Sequence, residues 1–185
     1  DLFLKQLNLK NNFTSEAYEI VLEEFQGEVD LENETGGRLD ILIKDKTNGK
    51  VIMIENKIYA KEQANQLMRY HKAYIEAELF YLTLFGELSE QYPENCIDND
   101  TKASNKFEYK CISYQNHIVN WLESCQKHTH NRPFLRETLS QYLNLVKKLT
   151  NQNINAEMNK ELAQLFSESE ENFDVFQTVI NLQGN

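Results

Sequence analysis

Two apolar runs joined by a short polar turn most constrain how this chain can fold. The runs, residues 39–44 and 50–57, are rich in isoleucine, leucine and valine and are bounded by turn-forming residues, which is typical of β-strands. The Asn48-Gly49 pair between them favours a tight hairpin. Because both runs are apolar on both faces, the sequence predicts two antiparallel strands inside a buried sheet.

Three charged side chains interrupt these apolar strands: Asp40 in the first run, and Glu55 and Lys57 at the end of the second. A turn centred on residues 48–49 places Asp40 opposite Lys57. A turn centred on residues 47–48 places Asp40 opposite Glu55 instead. In both registers the trio shares one face, because side chains alternate along strands and opposed residues point the same way. Opposed Cβ atoms lie roughly 4.5–5.5 Å apart, so the two carboxylates come close enough to share a metal ion.

Charged groups on strands that are buried on both faces are costly unless they are paired or bind a metal ion. The trio therefore indicates a functional site at the end of the hairpin. Two simpler interpretations remain open at this point. One is a surface hairpin that carries the charges on its solvent face, and the other is a structural salt bridge inside the sheet.

The helix predicted at residues 61–76 follows the second strand and carries a polar pair. Its core face recurs at helical spacing and comprises Ala64, Leu67, Met68, His71 and Ile75. Gln66 and Tyr70 are four residues apart and flank that face, so they stack on one side of the helix. The simpler interpretation of this pair is a half-exposed glutamine and tyrosine without a special role.

The charged trio, the residue between its last two members and the helical polar pair form one spaced pattern: Asp40, Glu55, Asn56, Lys57, Gln66 and Tyr70. This pattern resembles that of the PD-(D/E)XK nuclease superfamily, most strongly over residues 28–84 and more weakly up to residue 149. Within the superfamily, the stretches 37–43 and 54–58 are similar to a bacterial branch of uncharacterised nuclease-like proteins. The resemblance implies an α/β fold with a restriction-endonuclease-like core, in which helices flank a mixed central sheet, and an appended C-terminal helical part.

The same resemblance implies an enzyme that hydrolyses phosphodiester bonds with Mg²⁺ or Mn²⁺ and acts on nucleic acid, with DNA favoured. Asp40 and Glu55 would supply the oxygen ligands that these ions prefer, and the backbone carbonyl of Asn56 would complete the set. Lys57 would orient the attacking water or stabilise the charged transition state. The helical polar pair would position substrate or catalytic groups.

A further acidic residue often precedes the first strand in this superfamily. The upstream candidates are Glu16, Glu19 and Glu23, and the alternative is a residue ahead of Asp1. The alternative function is a non-catalytic protein-interaction module that retains the nuclease fold. The complete charged trio favours the enzyme, because a decayed site tends to lose one of its members.

The net charge limits how such a protein can bind nucleic acid. The 185-residue chain carries a net charge of −10, which argues against indiscriminate DNA binding through a basic surface but not against a metal-dependent nuclease. Arg38, Lys61, Arg69 and Lys72 are basic residues near the trio that could cluster locally. The simpler interpretation of each is a solvated charge on the surface. A homodimer is compatible with cleavage of both DNA strands.

Cysteine usage and hydropathy indicate a cytoplasmic protein. Cys96, Cys111 and Cys125 show no metal-binding spacing, so we expect ordinary half-buried side chains in a reducing compartment. No apolar stretch reaches the length of a membrane span and no signal peptide is visible, so we expect no membrane partner.

The rest of the chain divides into a core and a helical extension. The other predicted elements are a helix at 15–25, strands at 28–34, 78–85 and 107–113, and helices at 114–127, 134–150 and from 156 onward. The polar stretch at 87–106 is either a substrate-facing loop or a segment without fixed structure. We place the nuclease-like core at residues 1–130 and a C-terminal helical extension, packed on the core, at residues 131–185.

Overall fold

A computed structural model describes residues 2–9, 17–97 and 107–152 of the chain. Its helices and strands are, in chain order, α1 (Leu2–Gln6), β1 (Tyr18–Phe25), β2 (Arg38–Asp45), β3 (Val51–Lys57), α2 (Gln66–Ala73), β4 (Glu78–Thr83), β5 (Lys110–Ser113), α3 (Val119–Lys127) and α4 (Pro133–Leu149). A 3₁₀ turn at Pro93–Asn95 precedes β5, and a π-helical turn at Tyr114–Ile118 follows it. The five strands form one sheet in the order β1-β2-β3-β4-β5.

The sheet is mixed, and helices cover both of its faces. β1, β2 and β3 form an antiparallel meander, and β4 and β5 continue the sheet parallel to β3. One apolar cluster joins α1, α3 and α4 to one face, and a second cluster joins α2 to the other face. The predicted fold class, a restriction-endonuclease-like α/β sheet with flanking helices and helices toward the C-terminus, is confirmed.

The central strand β3 is buried on both faces, as its apolar sequence predicts. Ile52 and Met53 point to opposite faces and are both 0% exposed. The charged residues at the end of this strand, Glu55 and Lys57, therefore lie in an environment from which water is largely excluded. This position is what makes the ionisation of Glu55 unusual.

The helix predicted at residues 15–25 is wrong where the structure describes it, because Tyr18–Phe25 is the edge strand β1. Residues 15 and 16 lie outside the described part of the chain. Its apolar residues recur at helical spacing, yet Leu22 and Phe25 are 65% and 64% exposed. Pairing with β2 satisfies the backbone instead, and the β-branched Ile20-Val21 step favours a strand. Glu23 adopts a positive φ of 55° and interrupts the pairing. The burial of side chains does not alternate along β1 as it would in a strand with one buried face.

The strand predicted at residues 28–34 is also wrong, because this segment is the turn region between β1 and β2. The Asp30 side chain accepts hydrogen bonds from the backbone N–H groups of Glu32 and Asn33, each at 3.0 Å. Such a side chain offers the backbone a local partner in place of a neighbouring strand. A short pairing of Asp30 with Thr35 closes the turn.

Residues 1–150 form one compact unit, and residues 151–185 form a second. Within the first unit α4 packs on α3, and its residues Leu143 and Val146 are buried in the same cluster as Leu122. The division predicted at residue 130 falls between these two helices and stays a prediction. The helix predicted from residue 156 onward lies outside the described residues.

None of the helices in the described part of the chain is long and apolar enough to cross a lipid bilayer.

Candidate active site

The hairpin between β2 and β3 adopts the second of the two predicted registers. Ile41 pairs with Ile54, so the turn is centred on residues 47–48 and Asp40 lies opposite Glu55. Asp45 stabilises this turn, because its Oδ1 accepts a hydrogen bond from the backbone N–H of Thr47 at 2.8 Å. The turn chemistry thereby brings the two carboxylates together across the strands.

Asp40 is half-buried and is held by the backbone of the neighbouring strand. Its Oδ2 accepts a hydrogen bond from the backbone N–H of Asn56 at 2.7 Å. The side chain of Asn56 lies on the opposite face of β3, where its Oδ1 accepts a hydrogen bond from the Tyr114 hydroxyl at 3.1 Å. Asn56 therefore links the carboxylate to the packing on the far side of the sheet.

Glu55 is 1% exposed, and its two oxygens differ in their surroundings. Oε1 lies 2.8 Å from the Lys57 Nζ and accepts a hydrogen bond from Gln66 Nε2 at 2.7 Å. Oε2 is buried and has no hydrogen-bond partner among the described residues. A buried acceptor without a partner costs about 1–3 kcal/mol, so Oε2 fits an oxygen that binds a cation.

The electrostatics of the two carboxyl groups are coupled. Burial raises the pKa of Glu55 to about 7, the charge of Asp40 adds to the rise, and Lys57 opposes it. Burial also raises the pKa of Asp40, against the hydrogen bond from Asn56 and the charge of Lys57. The charge of Asp40 disfavours ionisation of Glu55, whereas the contact with Glu55 lowers the pKa of Asp40. A divalent cation between the two groups would offset the repulsion that arises when both are ionised.

Gln66 and Tyr70 are fully buried, which excludes the interpretation of a half-exposed pair. Besides its bond to Glu55, the Gln66 Nε2 donates to the Tyr70 hydroxyl oxygen at 2.9 Å. That hydroxyl donates in turn to the carbonyl oxygen of Arg38 at 2.6 Å. The helical pair therefore forms a hydrogen-bonded chain that runs from Glu55 to the start of β2.

Arg69 is a buried residue of the site that sequence reasoning assigned to the surface. It is 1% exposed, and its Nη1 donates to the carbonyl oxygen of Gly36 at 2.6 Å. Its Nη2 donates to Gln63 Oε1 at 3.3 Å. Arg69 thus ties α2 to the segment ahead of β2, and the interpretation of this residue as a solvated surface charge is wrong.

The Gly36-Gly37 pair explains how α2 comes so close to β2. Both residues have positive φ angles, 78° and 117°. A Cβ atom on Gly37 would lie 2.5 Å from Arg69 Nη1, and one on Gly36 would collide with the carbonyl oxygen of Glu28. The Gly36-Gly37 pair is the sequence signal that could have indicated the buried arginine. Two adjacent glycines allow another element to approach the backbone closely, and here that element is α2 with Arg69.

Of the upstream acidic candidates, Glu23 is the one that lies beside the site. The register of β1 sets it opposite Asp40, and its charge contributes to the raised pKa of Asp40. Glu19 lies at the other end of β1, 3.7 Å from the Nζ of Lys46. Glu16 lies outside the described residues.

The remaining polar groups around the site do not complete a preformed metal centre. Across the described ranges, no three histidine, cysteine, aspartate or glutamate side chains converge as metal ligands. Asp40 and Glu55 form a pair, and Glu23 is largely exposed beside Arg38 at 3.8 Å. The basic Lys72 pairs with Glu34 at 2.6 Å, and Lys61 is exposed.

A cavity of about 610 Å³ lies at the other end of the hairpin, between residues 48–51 and 72–78. Its lining contains none of the predicted site residues. The candidate site residues therefore lie where β3 ends, and not in this cavity.

Comparison with known families agrees with this architecture. The sequence model of the PD-(D/E)XK nuclease superfamily matches residues 2–144, from α1 into α4. Searches of curated proteins and of solved structures give no significant match. The match covers most of the chain and includes the meander, the paired carboxylates and the helix behind them, and the chain therefore belongs to the PD-(D/E)XK nuclease superfamily.

Proposed function

We propose that this protein is a metal-dependent nuclease that hydrolyses phosphodiester bonds in DNA. The observation that carries the proposal is the pair of close carboxyl groups, Asp40 and Glu55, with one buried oxygen that lacks a partner among the described residues. Lys57 and Gln66 both contact the other Glu55 oxygen, which leaves this one for an ion. Membership of the superfamily supports nuclease activity in general, and the substrate and the cofactor are the finer proposal.

Asp40 and Glu55, with the backbone carbonyl of Asn56, are the groups that would hold Mg²⁺ or Mn²⁺. Carboxylate and carbonyl oxygens are the ligands that these two ions prefer. When bound, the ion would supply an activated water and withdraw charge from the phosphate. The chain's own contribution is to keep Asp40 fixed by the Asn56 N–H and Glu55 fixed by Gln66.

Lys57 is the group that would act directly on the substrate. Its side chain is 11% exposed, so it reaches the surface of the site while its ammonium stays 2.8 Å from Glu55 Oε1. An ammonium has three donors, and the pair with Glu55 leaves others for the attacking water or a phosphate oxygen. Positive charge held at this position stabilises the negative charge that builds up in the transition state.

Gln66 and Tyr70 act through Glu55, so we propose them as positioning residues. Gln66 holds Oε1, which leaves Oε2 as the oxygen for the ion. Tyr70 holds Gln66 and is anchored on the Arg38 carbonyl. Glu23 is a candidate for an additional carboxylate at the edge of the site, because its charge already acts on Asp40.

Calorimetric titration of Mn²⁺ into the wild type, Asp40→Asn and Lys57→Met tests this assignment, with a cleavage screen on DNA and RNA in parallel. We expect Asp40→Asn to weaken Mn²⁺ binding by at least about tenfold, the loss of roughly 1.4 kcal/mol, and to abolish cleavage. Lys57→Met should keep Mn²⁺ binding and lose cleavage.

The matched controls are Glu19→Gln and Lys50→Met, which change the same charges at the far end of the sheet and should leave both readouts unchanged. Equal loss of Mn²⁺ binding in Asp40→Asn and Lys57→Met would contradict the separate roles. Absence of Mn²⁺ binding and of cleavage in the wild type would favour the interaction module. The bacterial branch, the homodimer and the cytoplasmic location stay predictions.

A further inference from the structure

Two cysteines lie close together on the same face of the sheet as the site. The Sγ atoms of Cys96 and Cys111 are 3.0 Å apart. Cys111 lies on β5 and pairs with Tyr81 of β4, which pairs in turn with Glu55 of β3. The two sulfur atoms are therefore near neighbours in space. The sequence predicted that both cysteines are half-buried, but it did not predict that they lie next to each other.

The backbone on both sides of the pair is held by hydrogen bonds. The N–H of Ile97 donates to the carbonyl of Tyr109 at 2.9 Å, and the N–H of Tyr109 donates to the carbonyl of Asn95 at 3.1 Å. The Asn95 side chain also donates to the carbonyl of Phe107 at 2.6 Å. The paired backbones therefore hold the two cysteine side chains next to each other.

We propose that Cys96 and Cys111 form a reversible intramolecular disulfide. Bonded sulfur atoms lie about 2.05 Å apart, so an approach of roughly 1 Å converts the contact into a bond. Both side chains are half-buried, which leaves them accessible to a small oxidant. Neither belongs to a group of three metal-ligating side chains among the described residues, so the pair does not fit a zinc site.

The oxidant is a small disulfide of the glutathione type. The thiolate of one cysteine attacks a sulfur of that disulfide, which releases one glutathione thiol and leaves a mixed disulfide on the protein. The second cysteine thiolate then attacks the protein sulfur and displaces the second glutathione. Two protein thiols and one small disulfide become one protein disulfide and two small thiols, and the two protein thiol protons end on the released glutathiones.

The Cys96–Cys111 disulfide would restrain the segment around residues 89–96, which is hydrogen-bonded to the connection ahead of α2. Ser89 Oγ donates to the Glu62 carboxylate at 2.8 Å, and Gln91 Nε2 donates to the carbonyl of Gln63 at 2.8 Å. Gln91 Oε1 in turn accepts from the backbone N–H of Asn65 at 2.8 Å, directly ahead of α2. Closing the loop between the cysteines should raise the Tm by about 6–12 °C, because a loop of this length restricts the unfolded chain.

Full-length protein equilibrated with reduced and oxidised glutathione, then alkylated, digested and analysed by mass spectrometry, tests the proposal. The variants are Cys96→Ser and Cys111→Ser, and Cys125→Ser on α3 is the matched control. We expect the wild type and Cys125→Ser to lose two alkylatable thiols, to yield a linked Cys96–Cys111 peptide and to show the higher Tm. Cys96→Ser and Cys111→Ser should show neither the linked peptide nor the increase in Tm.

Three results would overturn the proposal. One is a wild type that keeps three alkylatable thiols in the most oxidising glutathione buffer. Another is a dominant linkage that involves Cys125, and the third is a linkage between two chains on a non-reducing gel. These readouts use the wild type directly, so they decide the proposal even if a serine variant fails to fold. They are also independent of metal binding and of cleavage.

Discussion

At the scale of single residues, the behaviour of the site follows from where the β3 strand ends. Glu55 sits on a strand that is buried on both faces, and its side chain is shielded from water by Gln66 and Tyr70. Asp40, which lies nearer the surface, is half-buried and accepts a backbone hydrogen bond. The two carboxylic acids therefore differ in their exposure to water, and the more deeply buried Glu55 keeps its proton to higher pH.

The first prediction concerns the pH dependence of stability in the metal-free protein. The pKa of Glu55 is raised from 4.5 to about 7, so folding favours its protonated form. The stabilisation that this preference provides is complete below the unfolded pKa and is lost as the pH rises through about 7. Relative to Glu55→Gln, the wild type should lose about 3 kcal/mol of unfolding free energy over this window.

Urea unfolding of both proteins in a chelator, at several pH values between about 4 and about 8, measures this difference. Glu55→Gln is the matched variant, because it keeps the shape of the side chain and removes the titration. A wild-type profile parallel to that of Glu55→Gln would show that Glu55 titrates normally.

The second prediction concerns the hydrogen-bonded chain behind Glu55. Tyr70→Phe removes the hydroxyl that donates to the Arg38 carbonyl and accepts from Gln66. Because it leaves buried polar groups without a partner, it should destabilise the protein by about 1–3 kcal/mol. Urea unfolding measures this loss, and Tyr59→Phe, at an exposed position, is the control that should change stability little.

A second readout separates a positioning role from a purely structural one. If Tyr70 positions Glu55 through Gln66, Tyr70→Phe should weaken Mn²⁺ binding at a temperature where the variant is still folded. Unchanged Mn²⁺ affinity in a folded Tyr70→Phe would limit Tyr70 to a structural role.

At the scale of elements, the docking of α2 depends on the segment ahead of β2. The helix begins at Gln66 and not at residue 61, because Asn65 adopts a left-handed φ of 52°. This start leaves residues 61–65 as a connection that is hydrogen-bonded to the segment around Gln91. Arg69 then reaches the Gly36 carbonyl only because the backbone there carries no side chains.

The third prediction tests this close approach. Gly37→Ala adds a Cβ atom 2.5 Å from Arg69 Nη1 at a φ of 117°, so it combines a steric collision with backbone strain. We expect the free energy of unfolding to fall by about 2–4 kcal/mol. Gly49→Ala is the matched control, since its φ of 73° is also positive but no atom lies within 4 Å of the new Cβ.

Gly49→Ala should therefore lose only about 1 kcal/mol, the cost of the backbone conformation alone. Denaturant midpoints of the two variants, measured side by side, give the difference. Equal losses would mean that Arg69 moves aside at no cost and that the docking of α2 does not require Gly37.

At the scale of the whole molecule, the two faces of the sheet depend on different parts of the chain. The face that carries the site is covered by α2, which immediately follows β3. The other face is covered by α1, α3 and α4, and α4 contributes Leu143 and Val146 to that core. The described members of both apolar clusters therefore all lie in the first compact unit, residues 1–150.

The fourth prediction compares two truncations. A chain that ends after residue 150 should unfold cooperatively, because it keeps both clusters. A chain that ends after residue 130 should be strongly destabilised, because burial of Leu143 and Val146 contributes about 1.5–3 kcal/mol each. Thermal unfolding followed by circular dichroism measures both, and equal stability of the two truncations would support the predicted core of residues 1–130.

Local sequence signals were sufficient to predict an element where its burial in the sheet dominated its energetics. The β2–β3 hairpin, β4, β5 and the shared face of Asp40, Glu55 and Lys57 were predicted, because continuous apolar runs and the strict alternation of a strand leave few choices. Local signals failed at β1, where the same apolar residues suit a helix and an edge strand. Pairing with β2 decided between them, and that partner lies more than ten residues downstream.

The sequence by itself determined the family, the order of the central strands and the candidate residues of the site, since these depend on residue identity and on short spacings. The tertiary structure alone decided the register of the hairpin, the depth of Glu55, the burial of Arg69 and the contact between Cys96 and Cys111. Those features depend on groups that are distant in the chain and meet only after folding. Their energies come from the exclusion of water and from close contact, neither of which is encoded in any short stretch of sequence.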